Sequence, residues 1–210
     1  MGEADAAGIL TAMLGRKVAI VRGEAVLRSA VALAGAEVAV HHGEGETREP
    51  LVEAVLMRYS GAREGAALLA FPPREAARIL AGADGAHRVH GAEGADGTTV
   101  DFDAARSGIL LEIGNVVINA AIAALPQVFK KGLRFAIPEI FEGGFATALE
   151  HACGRRGDLA LMVGERLTIE AQEGKPFEAR GELVILFPPA SLDSLRALVP
   201  GTVHGSHDGA

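Results

Sequence analysis

The sequence predicts an α+β domain in which helices pack on an antiparallel-rich sheet built from two related halves. Three observations carry that prediction. Leu69-Ala-Phe71-Pro-Pro recurs as Ile185-Leu-Phe187-Pro-Pro, with the phenylalanines 116 positions apart (71 to 187). Each copy reads as an apolar strand, a Pro-Pro break and a short amphipathic helix. A second, looser match aligns Gly15–Glu24 with Leu133–Glu139 at a spacing of 117, judged from Ile20 and Ile137. Two landmarks at nearly one spacing argue for a duplicated unit. Finally, the predicted strands outnumber what the helices alone could cover, which favours one continuous sheet.

Taken in order, the first half reads as a helix over Ala6–Leu14 and a strand over Lys17–Val21. A less regular stretch with His41-His42 follows, then strands over Val52–Tyr59 and Ala66–Phe71 and a helix over Arg74–Leu80. The second half reads as a long helix over Asp103–Phe129 and strands over Arg134–Ile137, Leu159–Val163, Arg166–Ala171 and Leu183–Phe187. It closes with a helix over Ala190–Leu198. Between the halves, glycines at 82, 85, 91, 94 and 97 predict a loop. The expected organisation is one domain over residues 1–200, with halves at about 1–81 and 100–199, a connection at 82–99 and a flexible tail at 201–210.

Composition narrows the function classes. Aromatics are only 4% against 49% hydrophobic residues, so Ala, Val, Leu and Ile must build the core. With a net charge of −7 a nucleic-acid partner would need a local basic patch, and the sequence offers none. Lys130, Lys131 and Arg134 read as cations closing a helix end. The single Cys153 excludes an internal disulfide, fits a reducing compartment and lacks a nucleophile's partners. The N-terminus has no signal-peptide pattern, so a cytoplasmic location is expected. Ser107–Phe129 has the length of a membrane span, but Glu112, Asn115 and Asn119 inside it would be costly in lipid. A core helix with one polar strip is the better reading. His41/His42, His87/His90 and His204/His207 fall in predicted loops or the tail, where solvated histidines are the default over a metal site. Gly143-Gly144 and Gly94/Gly97 lack the strand-then-helix setting of a phosphate loop.

The long helix concentrates the chemistry. At about 100° per residue, positions 108, 112, 115 and 119 fall within an arc of about 60°. They are Gly108, Glu112, Asn115 and Asn119, among residues that are otherwise nearly all apolar. Gly114 lies beside this strip and costs about 1 kcal/mol relative to Ala in a helix interior. A glycine there lets a neighbouring helix or a partner approach the backbone.

Glu112-Ile-Gly-Asn115, followed after the 22 residues 116–137 by Pro138, resembles the motif of the CheC/CheX/FliY phosphatases. That motif is Asp or Ser, three residues, Glu, two residues, Asn, 22 residues and Pro. The resemblance spans most of residues 5–199 and is strongest over 105–140 and at the two Phe-Pro-Pro units. It implies a pseudo-symmetric duplicated fold with two long helices on an antiparallel-rich sheet. It also implies hydrolysis of the phosphoaspartate of a phosphorylated CheY-like receiver domain, with a homodimer as a possible form.

An acyl phosphate is already activated, and the resemblance places Mg²⁺ and a lysine in the partner, so no cofactor of this chain's own is expected. What a helper adds is a water held in line with the leaving carboxylate. A carboxamide both donates and accepts, which makes Asn115 the residue to orient that water. The resemblance assigns Glu112 to the partner's lysine, an anchoring role, while Gly108, Gly114 and Asn119 are expected to meet the partner. The motif's first position is Gly108 rather than Asp or Ser, and Ser107 points to another face. A second Glu/Asn pair, present in many CheC-like members, would fall at −5 and −2 by the repeat spacing, so one site per chain is expected. The alternative is a non-catalytic protein of the same fold that binds a receiver, a flagellar-switch component or a receptor-modifying partner. Flagellar-switch members lack the Glu/Asn pair, so its retention favours catalysis.

Overall fold

The computed structural model describes residues 3–30, 50–61, 64–87, 102–125, 132–152, 159–169 and 177–188. Within these lie four helices, α1 (Glu3–Leu14), α2 (Pro73–His87), α3 (Phe102–Ala124) and α4 (Phe145–Ala152). The strands are β1 (Val18–Ser29), β2 (Leu51–Ser60), β3 (Gly65–Phe71), β4 (Arg134–Phe135), β5 (Glu139–Gly144), β6 (Leu159–Ile169) and β7 (Phe177–Phe187). They form one sheet in the order β1-β6-β7-β3-β2, with β4 and β5 sharing the far edge of β2. Every pairing is antiparallel. The α+β class and the antiparallel sheet are as the sequence predicts.

The duplication is built into the register. The two Phe-Pro-Pro strands, β3 and β7, pair at the centre of the sheet, and Leu68 faces Val184. Those two residues are themselves 116 positions apart, so a pseudo-twofold axis passes between them. The same spacing carries β1 (18–29) onto 134–145, the span of β4 and β5. Each half therefore sends its first strand across to the other half's hairpin: β1 pairs with β6, and β4 and β5 pair with β2.

Side chains alternate across the sheet, so each strand feeds two cores. Val55, Met57, Leu69, Phe71, Leu183 and Ile185 face α1, α2 and α3, while Ala54, Leu56, Leu68, Val184 and Leu186 face α4. β3 is covered on both sides, and from Ala66 to Phe71 every residue is buried. In α1, Ala6, Leu10 and Leu14 form one buried stripe at four-residue spacing. Pro73 opens α2 at the position where a missing N–H costs nothing, and the Pro72 carbonyl accepts from Glu75 and Ala76. By length and composition Arg106–Ala124 could cross a membrane, yet 56% of that window is buried within the fold.

Several boundaries differ from expectation. The predicted break at residues 164–165 is absent, because Gly164 continues β6 opposite Glu182. β5 and α4 were not foreseen, so Gly143-Gly144 does stand between a strand and a helix. There the Phe145 N–H is used by the Pro50 carbonyl at 2.9 Å. Residues 82–87, expected in a loop, continue α2. Arg134 lies in β4 and not at a helix end. The expected helix over 190–198, the remainder of the 82–99 connection, Lys130, Lys131, Cys153, His41, His42, His90, His204 and His207 lie outside the described residues.

Candidate functional site

α3 lies on the face of the sheet that also carries α1 and α2, over β2, β3 and β5. Most of its circumference is spent on that contact. Ile109, Leu110, Ile113, Val116, Val117, Ile118, Ala120, Ala121 and Ile122 are all buried. The strip read from the sequence is among what remains at the surface: Gly108 and Glu112 are exposed, and Asn115 and Asn119 are half-buried, as are Ser107 and Leu111. The strip's order is a consequence of packing. The apolar residues claim the sheet and the neighbouring helices, and positions 108, 112, 115 and 119 are left facing out.

Gly114 is a correction. It was expected to face a partner, but it is buried, and a Cβ at this position would land on the Val55 side chain of β2. The glycine lets α3 settle closely onto its own sheet, which lowers the helix and fixes the height of the strip. Gly108 is the opposite case, since a Cβ there would meet nothing within 4 Å. Among the described residues there is room for a side chain to begin at this position.

The two asparagines are joined. Asn119 Nδ2 lies 2.8 Å from the Asn115 main-chain oxygen and 2.7 Å from its Oδ1. Glu112 stands one turn earlier, exposed, with no ion-pair partner among the described residues.

Pro138 lies in the short gap between β4 and β5 and is half-buried. Tyr59 faces Phe135 and Leu56 faces Glu139, so Met57 and Arg58 of β2 oppose the three residues Ala136, Ile137 and Pro138. This is a bulge on an edge strand, the setting in which a proline without N–H is tolerated. The Ala136 N–H still reaches the Arg58 carbonyl at 2.9 Å, and Ile137 is thrown outward, 91% exposed. Arg58 itself is held by the Glu139 carboxylate and by the His151 carbonyl.

Three further features were not foreseen. Glu53 of β2 faces Glu142 of β5 across the strands, with Arg106 of α3 at 3.9 Å. Burial raises the Glu53 carboxyl above its usual range, Arg106 opposes that rise and Glu142 adds to it. Glu182 of β7 is likewise raised by burial. An open cleft of about 450 Å³ at the other end of β2 is lined by Arg58, Tyr59, Ser60, Arg134, Phe135 and Pro188, among others. It includes no residue of α3. All three depend on cross-strand register, which no local pattern announces. Among the described residues, no three His, Cys, Asp or Glu side chains gather as metal ligands.

No family model matches the chain, and no curated protein matches it. Solved structures do. FliY of Thermotoga maritima matches at 14% identity with a TM-score of 0.57, covering 91% of this chain and 86% of that one. The FliM middle domain of Vibrio alginolyticus matches at 11% identity and a TM-score of 0.54, covering 93% and 94%. CheX of Borrelia burgdorferi, solved with CheY, BeF3 and Mg, matches at 16% identity and a TM-score of 0.44, covering 87% and 93%. With its duplicated antiparallel sheet and helix layer, the chain has the fold of FliY and of the FliM middle domain.

Proposed function

We propose that this chain hydrolyses the phosphoaspartate of a CheY-like receiver domain, with Asn115 as the residue that orients the water. The observation that carries the reading is the surface of α3: a helix buried over most of its girth keeps a carboxylate and a carboxamide, Glu112 and Asn115, one turn apart at its outer face. Their spacing to Pro138 is that of the phosphatase motif, and Pro138 sits at a bulge on the strand beside the helix.

The chemistry asks little of the chain. The water oxygen bonds to phosphorus as the bond between phosphorus and the aspartyl oxygen breaks. The electron pair leaves on the aspartate carboxylate, and the water's proton passes to a phosphoryl oxygen, releasing inorganic phosphate. Mg²⁺ and the lysine that balance this charge belong to the receiver. Asn115 contributes placement, and Glu112 anchors the helix by pairing with the receiver's lysine. Gly108 borders this contact, and the protein acts in the cytoplasm, where receivers reside.

The test is phosphate release from phosphorylated receiver domains, wild type against Asn115→Ala. Acceleration by the wild type that is lost in the variant is the expected result. A wild type that never exceeds the receiver's own decay rate sinks the proposal. One observation favours a second reading, a non-catalytic receiver-binding protein. Gly108 offers no side chain where the motif has Asp or Ser. In that case the receiver binds α3 with no gain in phosphate release.

A further inference from the structure

The direction of both carboxamides on α3 follows from one main-chain atom. The Asn115 carbonyl can only accept, so the Asn119 atom 2.8 Å away must be its NH₂ group. That group can only donate, so the Asn115 side-chain atom 2.7 Å away must be the oxygen. An assignment that is ordinarily ambiguous for paired amides is fixed here by the backbone. Asn115 therefore has its Oδ1 turned along the helix toward Asn119, and its Nδ2, which has no partner among the described residues, is left with both hydrogens.

Resting on the phosphatase reading above, we propose that Asn119 is a positioning residue for Asn115 and not a contact to the partner. It holds the Asn115 carboxamide in one rotamer and presents the two Nδ2 hydrogens outward. A water held by such a donor accepts through one lone pair and keeps the other for phosphorus. The entropy of fixing this side chain is spent on folding rather than during encounter, the condition for efficient orientation. Both asparagines are half-buried, so the pair is partly shielded from competing solvent while the Asn115 tip stays reachable.

Two measurements on the full chain test this, and the first needs no catalysis. Side-chain couplings by NMR should report one χ1 rotamer for Asn115 in the wild type and averaging among rotamers in Asn119→Ala. The Asn119 NH₂ resonances should also shift in Asn115→Ala. Averaging in the wild type, or an Asn115 rotamer indifferent to Asn119→Ala, overturns the proposal whether or not the protein is a phosphatase. The second measurement is phosphate release. Losing one net hydrogen bond predicts a kcat about fivefold lower in Asn119→Ala with KM for the phosphorylated receiver unchanged. Asn119→Asp keeps the shape but loses the donor and would turn the Asn115 amide around, so its kcat should fall at least as far. In an Asn115→Ala background both changes should be silent. A raised KM at constant kcat, or an effect that survives in that background, assigns Asn119 to the partner surface or to the fold and overturns the proposal. If the wild type does not accelerate release at all, the functional reading fails and the rotamer result alone decides this one.

Discussion

The first strands of the two halves hold equivalent places at the two edges of the sheet, and they solve the same problem with different residues. Each carries one residue more than the strand it pairs with. In β1 the extra residue falls at Gly23-Glu24, opposite Gly164 of β6, and the strand continues through it. In the second half it falls at Ala136–Pro138, opposite Met57 and Arg58, and the strand breaks into β4 and β5. A glycine absorbs a bulge while keeping its N–H. A proline cannot, so the chain opens and Ile137 is expelled. The helices differ in the same sense. α1 buries a single stripe, whereas α3 buries nearly everything and leaves one strip with Glu112 and Asn115. One copy of the unit is spent on closing the sheet, and the other combines an interrupted edge with a polar strip.

The largest expected effect tests whether that strip is chemically distinct. Asn115→Ala should lower phosphate release on phosphorylated receivers by about 100-fold, the cost of removing one orienting group at a reacting centre. Ile9→Ala on the exposed face of α1 should leave the rate unchanged, and both chains should keep their urea midpoints. Equal losses from the two helices would erase the distinction between the halves.

Next come two glycines, one on each helix. Gly114→Ala drives a methyl group into Val55 of β2, and overpacking of this kind costs about 1–3 kcal/mol net of the helix gain. Gly8→Ala on α1 meets nothing within 4 Å and should stabilise by up to about 1 kcal/mol. Denaturant midpoints moving in opposite directions are the expected outcome, with Val55→Ala recovering part of the Gly114→Ala loss. A smaller effect is expected at Gly108. Gly108→Ser should add about 0.5 kcal/mol from helix propensity alone. If the missing motif group matters for docking, it should also lower KM for the phosphorylated receiver. A KM that does not move would show that Gly108 is no deficit.

What was legible in the sequence follows the same division. The duplication was readable because Phe-Pro-Pro punctuates the two central strands, and the register of Leu68 on Val184 places that repeat on an axis. The strip on α3 was readable because helical periodicity depends on one chain segment alone. β5 and α4 were missed because they are short and follow the Pro138 break directly. Phe145, Ala148, Leu149 and Ala152 do carry helical spacing, over only eight residues. Gly114 is expected beside the strip and against a partner, yet the helix turns it onto Val55 of β2, since only the sheet order says that β2 lies beneath it. The bond between Asn119 and Asn115 was out of reach for a different reason. Spacing brings two side chains together, but the direction of an amide depends on which acceptor it meets.

Each half's hairpin also half-buries one carboxylate, and the smallest predicted effects separate them. Glu182 on β7 is raised by burial alone, whereas at Glu53 on β2 the rise from burial is opposed by Arg106 and reinforced by Glu142. A raised carboxyl favours the folded state fully while the group is protonated, below the usual carboxylate range. That contribution is lost as pH rises through the raised value. At neutral pH both charges therefore weigh against folding, Glu182 without a compensating cation in its balance. Glu182→Gln should raise stability at pH 7 by less than about 1 kcal/mol, and the gain should vanish as pH falls below about 4. Glu53→Gln should gain less, because it also discards the attraction to Arg106 at 3.9 Å. Urea midpoints measured from pH 4 to 8 decide the order. If Glu53→Gln proves the more stabilising, the repulsion from Glu142 across the β2–β5 edge outweighs Arg106, and the interrupted edge is the more strained of the two halves.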